Sequence, residues 1–412
     1  MDDPAFAVEV DDTTQTILLA ASNHDLATLK PLLRVPGAAS VQDPETGFTP
    51  LHAAIQACAD SPTPSELSAA KETVKELFLS GAIWNDLDVK NETPGDLAWR
   101  LGLKELYELV VEAGVRAEVL MNLMGGYEEL GDGDDEEDED EEVDAAGENG
   151  NGEVGTTENG QEVEELNGNS TEEKASEPPK RDVNSTDYLS STLTLTPSAL
   201  LDSDANGVMM AWETSIMRRT VDLLIPPGSP PQRILNIGFG MGIIDEMFAS
   251  TSPVSHHIIE AHPDVLKSLS SPDSKFGPAW QSSPTNKIHP GRWQDLLPSL
   301  LEQNLQFDII YFDTFGESYL ELKRFFTEFV IGLMSEDGRF SFFNGLGADR
   351  RICYDVYTRV AEMDLNEAGL EVEWTEVEVP ELGKEGEGEW EGVRRRYWVL
   401  EKYRLPVCRF IG

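Results

Sequence analysis

Residues 233–242 read Arg-Ile-Leu-Asn-Ile-Gly-Phe-Gly-Met-Gly, an apolar run ending in glycines at alternate positions, Gly238, Gly240 and Gly242. Ile243, Ile244, Met247 and Phe248 follow at roughly helical spacing. The order is strand, tight turn, helix. Residues without a Cβ let the backbone turn sharply and approach a ligand closely. In a parallel sheet such a turn lies at the strand's carboxyl end, where ligands bind. The pattern G-x-G-x-G falls short of the full dinucleotide fingerprint. Alone it fits a plain βα turn as well as a ligand loop. The run His256-His257-Ile258-Ile259-Glu260 adds a second short strand that ends in a carboxylate. Glu260 follows the first glycine by about the twenty residues at which Rossmann-like folds place a ribose-binding acid. A solvated strand-end glutamate is the plain alternative, but turn and acid in this order favour a nucleoside-cofactor site.

Outward from this pair the pattern repeats. Ile288–Trp293 reads as a third strand, and Phe307–Asp313 as a fourth, apolar enough to be central. A helix is expected over Tyr319–Met334, a fifth strand over Gly338–Asn344 and a helix over Arg350–Ala368. Glu371–Val379 and Arg396–Tyr403 read as a final strand pair, joined by the Gly/Glu-rich, mobile connection 383–392. Upstream, Tyr188–Leu201 alternates polar and apolar residues, and Val208–Thr214 leads into a helix that Pro226 and Pro227 stop near Leu224. Alternating strands and helices predict an α/β domain, a mostly parallel sheet with helices on both faces. The late strand pair without a helix predicts an antiparallel edge.

The chain is 412 residues long, enough for two or three domains, and carries a formal charge of −46. That charge argues against nucleic acid as the main partner and for a basic ligand or protein surface. Cys58, Cys353 and Cys408 are too scattered for a disulfide framework or a metal cluster, which suits a reducing compartment. The N-terminus lacks the pattern of a secretory signal, and no apolar run reaches membrane-spanning length. The expectation is a soluble protein of cytoplasm and nucleus, with no metal and no membrane partner.

Residues 1–127 read as a short all-α domain. Thr16–Leu33 gives two helices around the turn Asn23-His24-Asp25, and Gly47–Ala54 contains Thr-Pro-Leu-His-Ala-Ala, the T-P-L-H-x-A signature of ankyrin repeats. A degenerate copy, Thr93-Pro94-Gly95-Asp96-Leu97-Ala98, follows at more than the standard separation. An insertion near Asp60–Glu66 accommodates the excess. His52 is expected to be a structural hydrogen-bonder, and the stack a partner-binding surface. Residues 128–181 read as an acidic disordered linker: Glu128–Glu177 holds 22 acids against one lysine. It is a solubilising spacer or a tether that attracts a basic substrate. Residues 182–412 form the α/β domain.

Two further acids stand at suitable places. Asp313 ends the fourth strand at the sheet's ligand edge, and Glu213 lies in Trp212-Glu213-Thr214 ahead of the glycine strand. Singly, Asp313 reads equally as a helix cap and Glu213 as a first-turn helix acid. Together with VMMAWETSIM (208–217), NIGFGMGI (236–243), IIEAHPDV (258–265), GRWQDLLP (291–298) and FDIIYFDTF (307–315), they resemble the guanidinoacetate methyltransferases in order and spacing. With the ankyrin segment and acidic linker in front, the whole chain resembles the fungal protein arginine N-methyltransferases that act on the internal δ-nitrogen of arginine in a ribosomal protein.

The resemblance implies a Rossmann-like class I methyltransferase domain behind an ankyrin-repeat domain, with S-adenosyl-L-methionine as cofactor and a basic protein, a ribosomal one, as substrate. Phe239, Gly240, Met241, Gly242, Ile243 and Ile244 would wrap the methionine part, and Glu260 would hold the ribose with Ala261 and His262 beside it. Trp293 and Gln294 would flank the adenine. Met217, Tyr188 and Asp313 would lie along the cofactor. Glu213 and Asp313 would bind the guanidinium as the catalytic pair, since carboxylates match its N–H fork. Asn236 stands where that family has an acid, and Ala261-His262 where it has Cys-Asn. Two rivals remain: a small-molecule guanidino methyltransferase, and an ankyrin scaffold on an inactive methyltransferase fold.

Overall fold

The computed structural model describes residues 12–128 and 184–412. Of the acidic linker expected at 128–181 only Glu128, the end of a helix, is among them; the rest lies outside the described residues. The glycine strand is β1 (Arg233–Ile237), followed by β2 (Ser255–Glu260), β3 (Asn286–Pro290), β4 (Phe307–Phe312), β5 (Met334–Phe342), β6 (Leu370–Glu378) and β7 (Lys402–Phe410). They form one mixed sheet in the order β3-β2-β1-β4-β5-β7-β6. The first five are parallel, and β7 runs antiparallel to both β5 and β6. This is the expected α/β architecture, a mostly parallel sheet with an antiparallel edge. The chain order reverses between β1 and β4, so their carboxyl ends diverge into a crevice. Ile237 pairs with Phe312 across that boundary, which sets Gly238 and Asp313 side by side at its mouth.

Alternation along the strands divides the core. Leu235, Ile237, Phe312 and Phe340 face one way, with Val356 and Val360 of the Arg351–Glu367 helix. Ile234, Ile309 and Tyr311 face the other, against Met217, Ile244 and Phe248. The first cluster continues into Leu97, Leu106 and Val110 of the N-terminal helices, so one apolar core joins the two parts.

Those N-terminal helices begin as the sequence suggests. Asp12–Ser22 and Leu26–Leu32 flank the turn at Asn23-His24-Asp25. Pro50–Gln56 and Pro94–Arg100 start behind Thr49 and Thr93, each with a reciprocal capping box and Pro in the first turn. His52 is buried and bonded: Nδ1 meets Thr49 Oγ1 at 2.9 Å and Nε2 meets the Glu92 carbonyl at 3.1 Å. Helices Pro64–Leu79 and Lys104–Glu128 complete the layer. No helix among the described residues is long and apolar enough to cross a membrane.

Several boundaries differ from expectation. The last strand is Lys402–Phe410, not Arg396–Tyr403. Trp398 and Leu400 are buried in a loop, where they imitate strand alternation, while Pro406 sits inside the true strand opposite Trp374. Pro cannot donate to a ladder and hides the strand, although its carbonyl still accepts from Ser341 Oγ at 2.6 Å. Trp293 opens the helix Trp293–Glu302 and does not end a strand, because Pro290 and Gly291 (φ 135°) stop β3 first. The helix after β4 runs Tyr319–Arg324, widens into a π-turn over Phe325–Val330 and ends at Leu333. The 383–392 connection is pinned by Trp390, which is fully buried against Tyr397 and Trp212.

Candidate functional site

The turn after β1 is fixed by what surrounds it. Gly238 has φ 90°, and a Cβ there would lie 1.9 Å from the carbonyl oxygen of Asp313. No side chain fits, so the backbones of β1 and β4 can touch at the crevice. Beneath the turn, Asn236 Nδ2 donates to Asp245 Oδ2 (2.6 Å) and to the Gly238 carbonyl (2.9 Å), while Asp245 Oδ1 meets His256 Nε2 at 2.8 Å. All three side chains are buried. They tie β1, β2 and the helix Ile243–Ser250 together under the loop.

Glu260, at the end of β2, turns back over the same loop. Its Oε2 accepts from the Phe239 N–H (2.9 Å) and the Gly240 N–H (3.4 Å), and its Oε1 from the His262 N–H (2.6 Å). Burial nevertheless pushes its pKa upward against these three donors. His262 caps the helix Pro263–Leu269 through Nδ1, which accepts from the Asp264 N–H; Nε2 then donates to the Tyr188 carbonyl at 3.1 Å. The Tyr188 ring packs between His262 and Phe315.

A narrow cavity of about 60 Å³ follows this rim. Tyr188, Gly240, Glu260, Ala261, Trp293, Gln294 and Asp313 line it. The other residues of the expected cofactor set stand behind the wall. Phe239 supplies an N–H to Glu260 and packs its ring on Phe276. Met241 donates its N–H to Met209 Sδ at 3.2 Å. Gly242 (φ 74°) precedes the first turn of the helix that Ile243 opens. Ile244 and Met217 are core residues, at most 1 % exposed, and line neither this cavity nor the next.

A second, larger cavity of about 340 Å³ adjoins the first and shares Val208, Asp313, Thr314, Phe315 and Glu317 with it. Both acids expected to act as a pair reach it. Glu213 is buried, 3 % exposed, at the head of the helix Thr214–Leu224. Its Oε1 accepts from the Met210 N–H at 3.1 Å and from the Tyr397 hydroxyl. Burial raises its pKa to about 7, although both hydrogen bonds pull the other way. Asp313 Oδ2 is covered and has no hydrogen-bond partner among the described residues. Burial, and then the neighbouring charge of Glu213, push Asp313 well above the usual carboxylate range. Two neighbouring carboxyls that resist ionisation together, Glu213 buried and Asp313 half-buried with a covered, orphaned acceptor, form a site that a cation with N–H donors completes.

Three residues here, Tyr397, Glu317 and Met209, are outside the expected site set. Tyr397 is 184 positions from Glu213 and lies in the loop whose buried residues imitate a strand. Glu317 belongs to both cavities. It accepts from Trp293 Nε1 (2.9 and 3.0 Å), Gln294 Nε2 (2.9 Å) and Thr314 Oγ1 (2.7 Å), which fixes the Trp-Gln pair. Its position four residues after Asp313 was the available hint. Met209 stands over Gly240, where a Cβ would come within 2.7 Å of its methyl group.

Comparison with known proteins gives the family of the chain. The family profile described as Guanidinoacetate N-methyltransferase matches residues 197–368. A protein from Gibberella zeae named "Protein arginine N-methyltransferase 2" is 54% identical, spanning 93% of this chain and 90% of its own. The protein of the same name from Aspergillus fumigatus is 49% identical over 98% of both chains. Among solved structures, spermidine synthase from Thermotoga maritima covers 54% of this chain and 72% of its own at 13% identity, with a TM-score of 0.36, too distant to inform the site.

Proposed function

This chain belongs to the protein arginine N-methyltransferase 2 family, S-adenosylmethionine-dependent arginine methyltransferases, and from that premise we propose that its larger cavity receives an arginine side chain held between Glu213 and Asp313. The observation that carries the reading is the covered, orphaned Asp313 Oδ2 in one cavity with the buried Glu213 carboxyl, next to the glycine-loop rim.

The residues of the rim fit the cofactor. Glu260 is an acceptor-only carboxylate facing the narrow cavity, and Gly238 and Gly240 leave no room for side chains where a ligand must approach the loop. When bound, S-adenosylmethionine supplies an activated sulfonium methyl group. Glu260 takes the ribose hydroxyls, and Trp293 and Gln294, braced by Glu317, flank the adenine. Glu213 and Asp313 accept N–H bonds from the guanidinium, hold its plane and draw positive charge away from the reacting nitrogen. Tyr397 keeps Glu213 aimed at the cavity. Such a reaction needs positioning and exclusion of water more than acid–base help.

The proposed acceptor atom is the δ-nitrogen and the proposed substrate a basic ribosomal protein, both by resemblance to the fungal enzymes. The N-terminal helices are proposed to be an ankyrin stack that serves protein recognition. Residues 128–181 are the proposed acidic tether. The test is a reaction of the full chain and S-adenosylmethionine with intact ribosomal proteins and, separately, with guanidinoacetate, read by fragmentation of methylated arginine. Methylated protein arginine supports the reading, and turnover of guanidinoacetate alone overturns it.

A further inference from the structure

The degenerate Thr93-Pro94-Gly95-Asp96 copy lies against the catalytic part of the chain, and its two departures from the complete Thr49-Pro50-Leu51-His52 copy sit at the contact. Where the complete copy has Leu51, the degenerate one has Gly95, and a Cβ there would lie 2.6 Å from Ile352 Cγ1. A leucine at 95 and Ile352 cannot share that space. Where the complete copy has His52, the degenerate one has Asp96. Its Oδ2 does two things at once. It accepts from the Thr93 N–H (3.0 Å) and Thr93 Oγ1 (2.9 Å) to cap the helix, and it takes Arg350 Nη1 at 2.6 Å. The same Nη1 donates to the Asn91 carbonyl at 2.7 Å.

Arg350 and Ile352 open the helix that follows the 345–349 loop, and every residue of that loop, Gly345 to Asp349, walls the larger cavity. The loop's other end is anchored inside the α/β domain. The Asn344 N–H donates to the Tyr403 hydroxyl at 2.8 Å, and Asn344 Nδ2 lies 3.2 Å from the Tyr354 hydroxyl. Its middle is tied to the segment that carries Tyr397: the Val399 N–H donates to the Ala348 carbonyl at 3.0 Å. A continuous set of contacts therefore runs from Asp96 through Arg350 and the loop to Tyr397 and Glu213. Arg351 stacks over Trp99 at 4.4 Å beside it.

We propose that the degenerate copy, through Gly95 and Asp96, is a positioning element of the acceptor cavity that holds Ile352 and Arg350 and thereby fixes the 345–349 wall. The copy departs from the repeat signature at the two positions that meet Ile352 and Arg350, while its helix still packs in the stack. The inference rests on the larger cavity being the acceptor site. Arg350 is a positioning residue that touches neither ligand.

The test uses the full chain with Arg350→Gln, Arg350→Lys and Asp96→Asn, measured for cofactor affinity by calorimetry and for steady-state kinetics on an arginine-containing protein acceptor. Arg350→Gln should lower kcat/KM for the acceptor by about tenfold, mostly through KM, with cofactor affinity unchanged, and Arg350→Lys should restore most of it. Asp96→Asn should match Arg350→Gln, and the double variant should be little worse than either, because both break one contact. Folded Arg350→Gln and Asp96→Asn proteins with unaltered acceptor kinetics would overturn the proposal, as would equal losses of cofactor and acceptor affinity. Asp313→Asn is run alongside. If it lowers turnover while the other two do not, only this inference fails; if it too is harmless, the reading of the cavity fails first.

Discussion

Filling the acceptor cavity with an arginine side chain should expel protons. In the free protein burial holds Glu213 near a pKa of about 7 and Asp313 well above the ordinary range. A guanidinium between them favours both charged forms. A carboxyl of pKa about 7 is roughly 90% protonated at pH 6 and roughly 10% at pH 8. Glu213 alone should therefore release about 0.9 proton on binding at pH 6 and about 0.1 at pH 8, with Asp313 adding to both. Integrated over that window, the Glu213 release tightens arginine binding by about tenfold from pH 6 to pH 8. The assay is calorimetry of an arginine peptide binding to the protein saturated with S-adenosylhomocysteine, in buffers of different ionisation enthalpy. Tyr397→Phe removes a hydrogen bond that holds Glu213 down, so its release curve should move to higher pH. Binding with no buffer dependence at pH 6, and with pH-independent affinity, would refute the paired-carboxyl reasoning.

Three other outcomes are expected. Glu260→Ala should weaken cofactor binding by at least tenfold, since two charge-assisted hydrogen bonds are worth roughly 1.5–3 kcal/mol each; unchanged affinity in calorimetry removes Glu260 from the site. In the absence of arginine, stability should fall as pH rises from about 4.5 to about 7, because over that range the unfolded chain ionises Glu213 while the folded one keeps its proton. The loss is about 3 kcal/mol at most, and urea midpoints of Glu213→Gln should show a shallower slope. Deleting residues 128–181 should leave turnover of a short arginine peptide intact, because none of the residues assigned above to the cofactor or the guanidinium lies in that segment; capture of a large basic protein should slow, by less as salt rises.

What the sequence shows well here is local. The β1 strand, its glycine turn and the following helix are contiguous, and the glycines carry a steric requirement that the Asp313 carbonyl makes explicit. Glu260 and Asp313 end strands, so topology alone brings them to one crevice. Contacts made by distant loops left no such trace. Tyr397 reaches Glu213 from a segment whose buried Trp398 and Leu400 mimic a strand, and Pro406 conceals the real one. Met217 and Ile244 sit within family motifs, yet their side chains fill the core under the site. The Gly95-Asp96 departure looked like decay of a repeat, because Ile352 and Arg350 are more than 250 residues away.

The central claim, that Glu213 and Asp313 grip a guanidinium beside the cofactor, is tested most directly by single-turnover methyl transfer with Asp313→Asn. The change keeps size, removes charge and points an NH₂ group at the substrate's own N–H donors. The expected result is normal saturation with S-adenosylmethionine and transfer to protein arginine slowed by at least about a hundredfold, roughly 2.7 kcal/mol of positioning. Glu213→Gln should behave alike, and the double variant little worse, because the two acids act as one clamp. Near-normal transfer by Asp313→Asn, with cofactor binding intact, would contradict the claim.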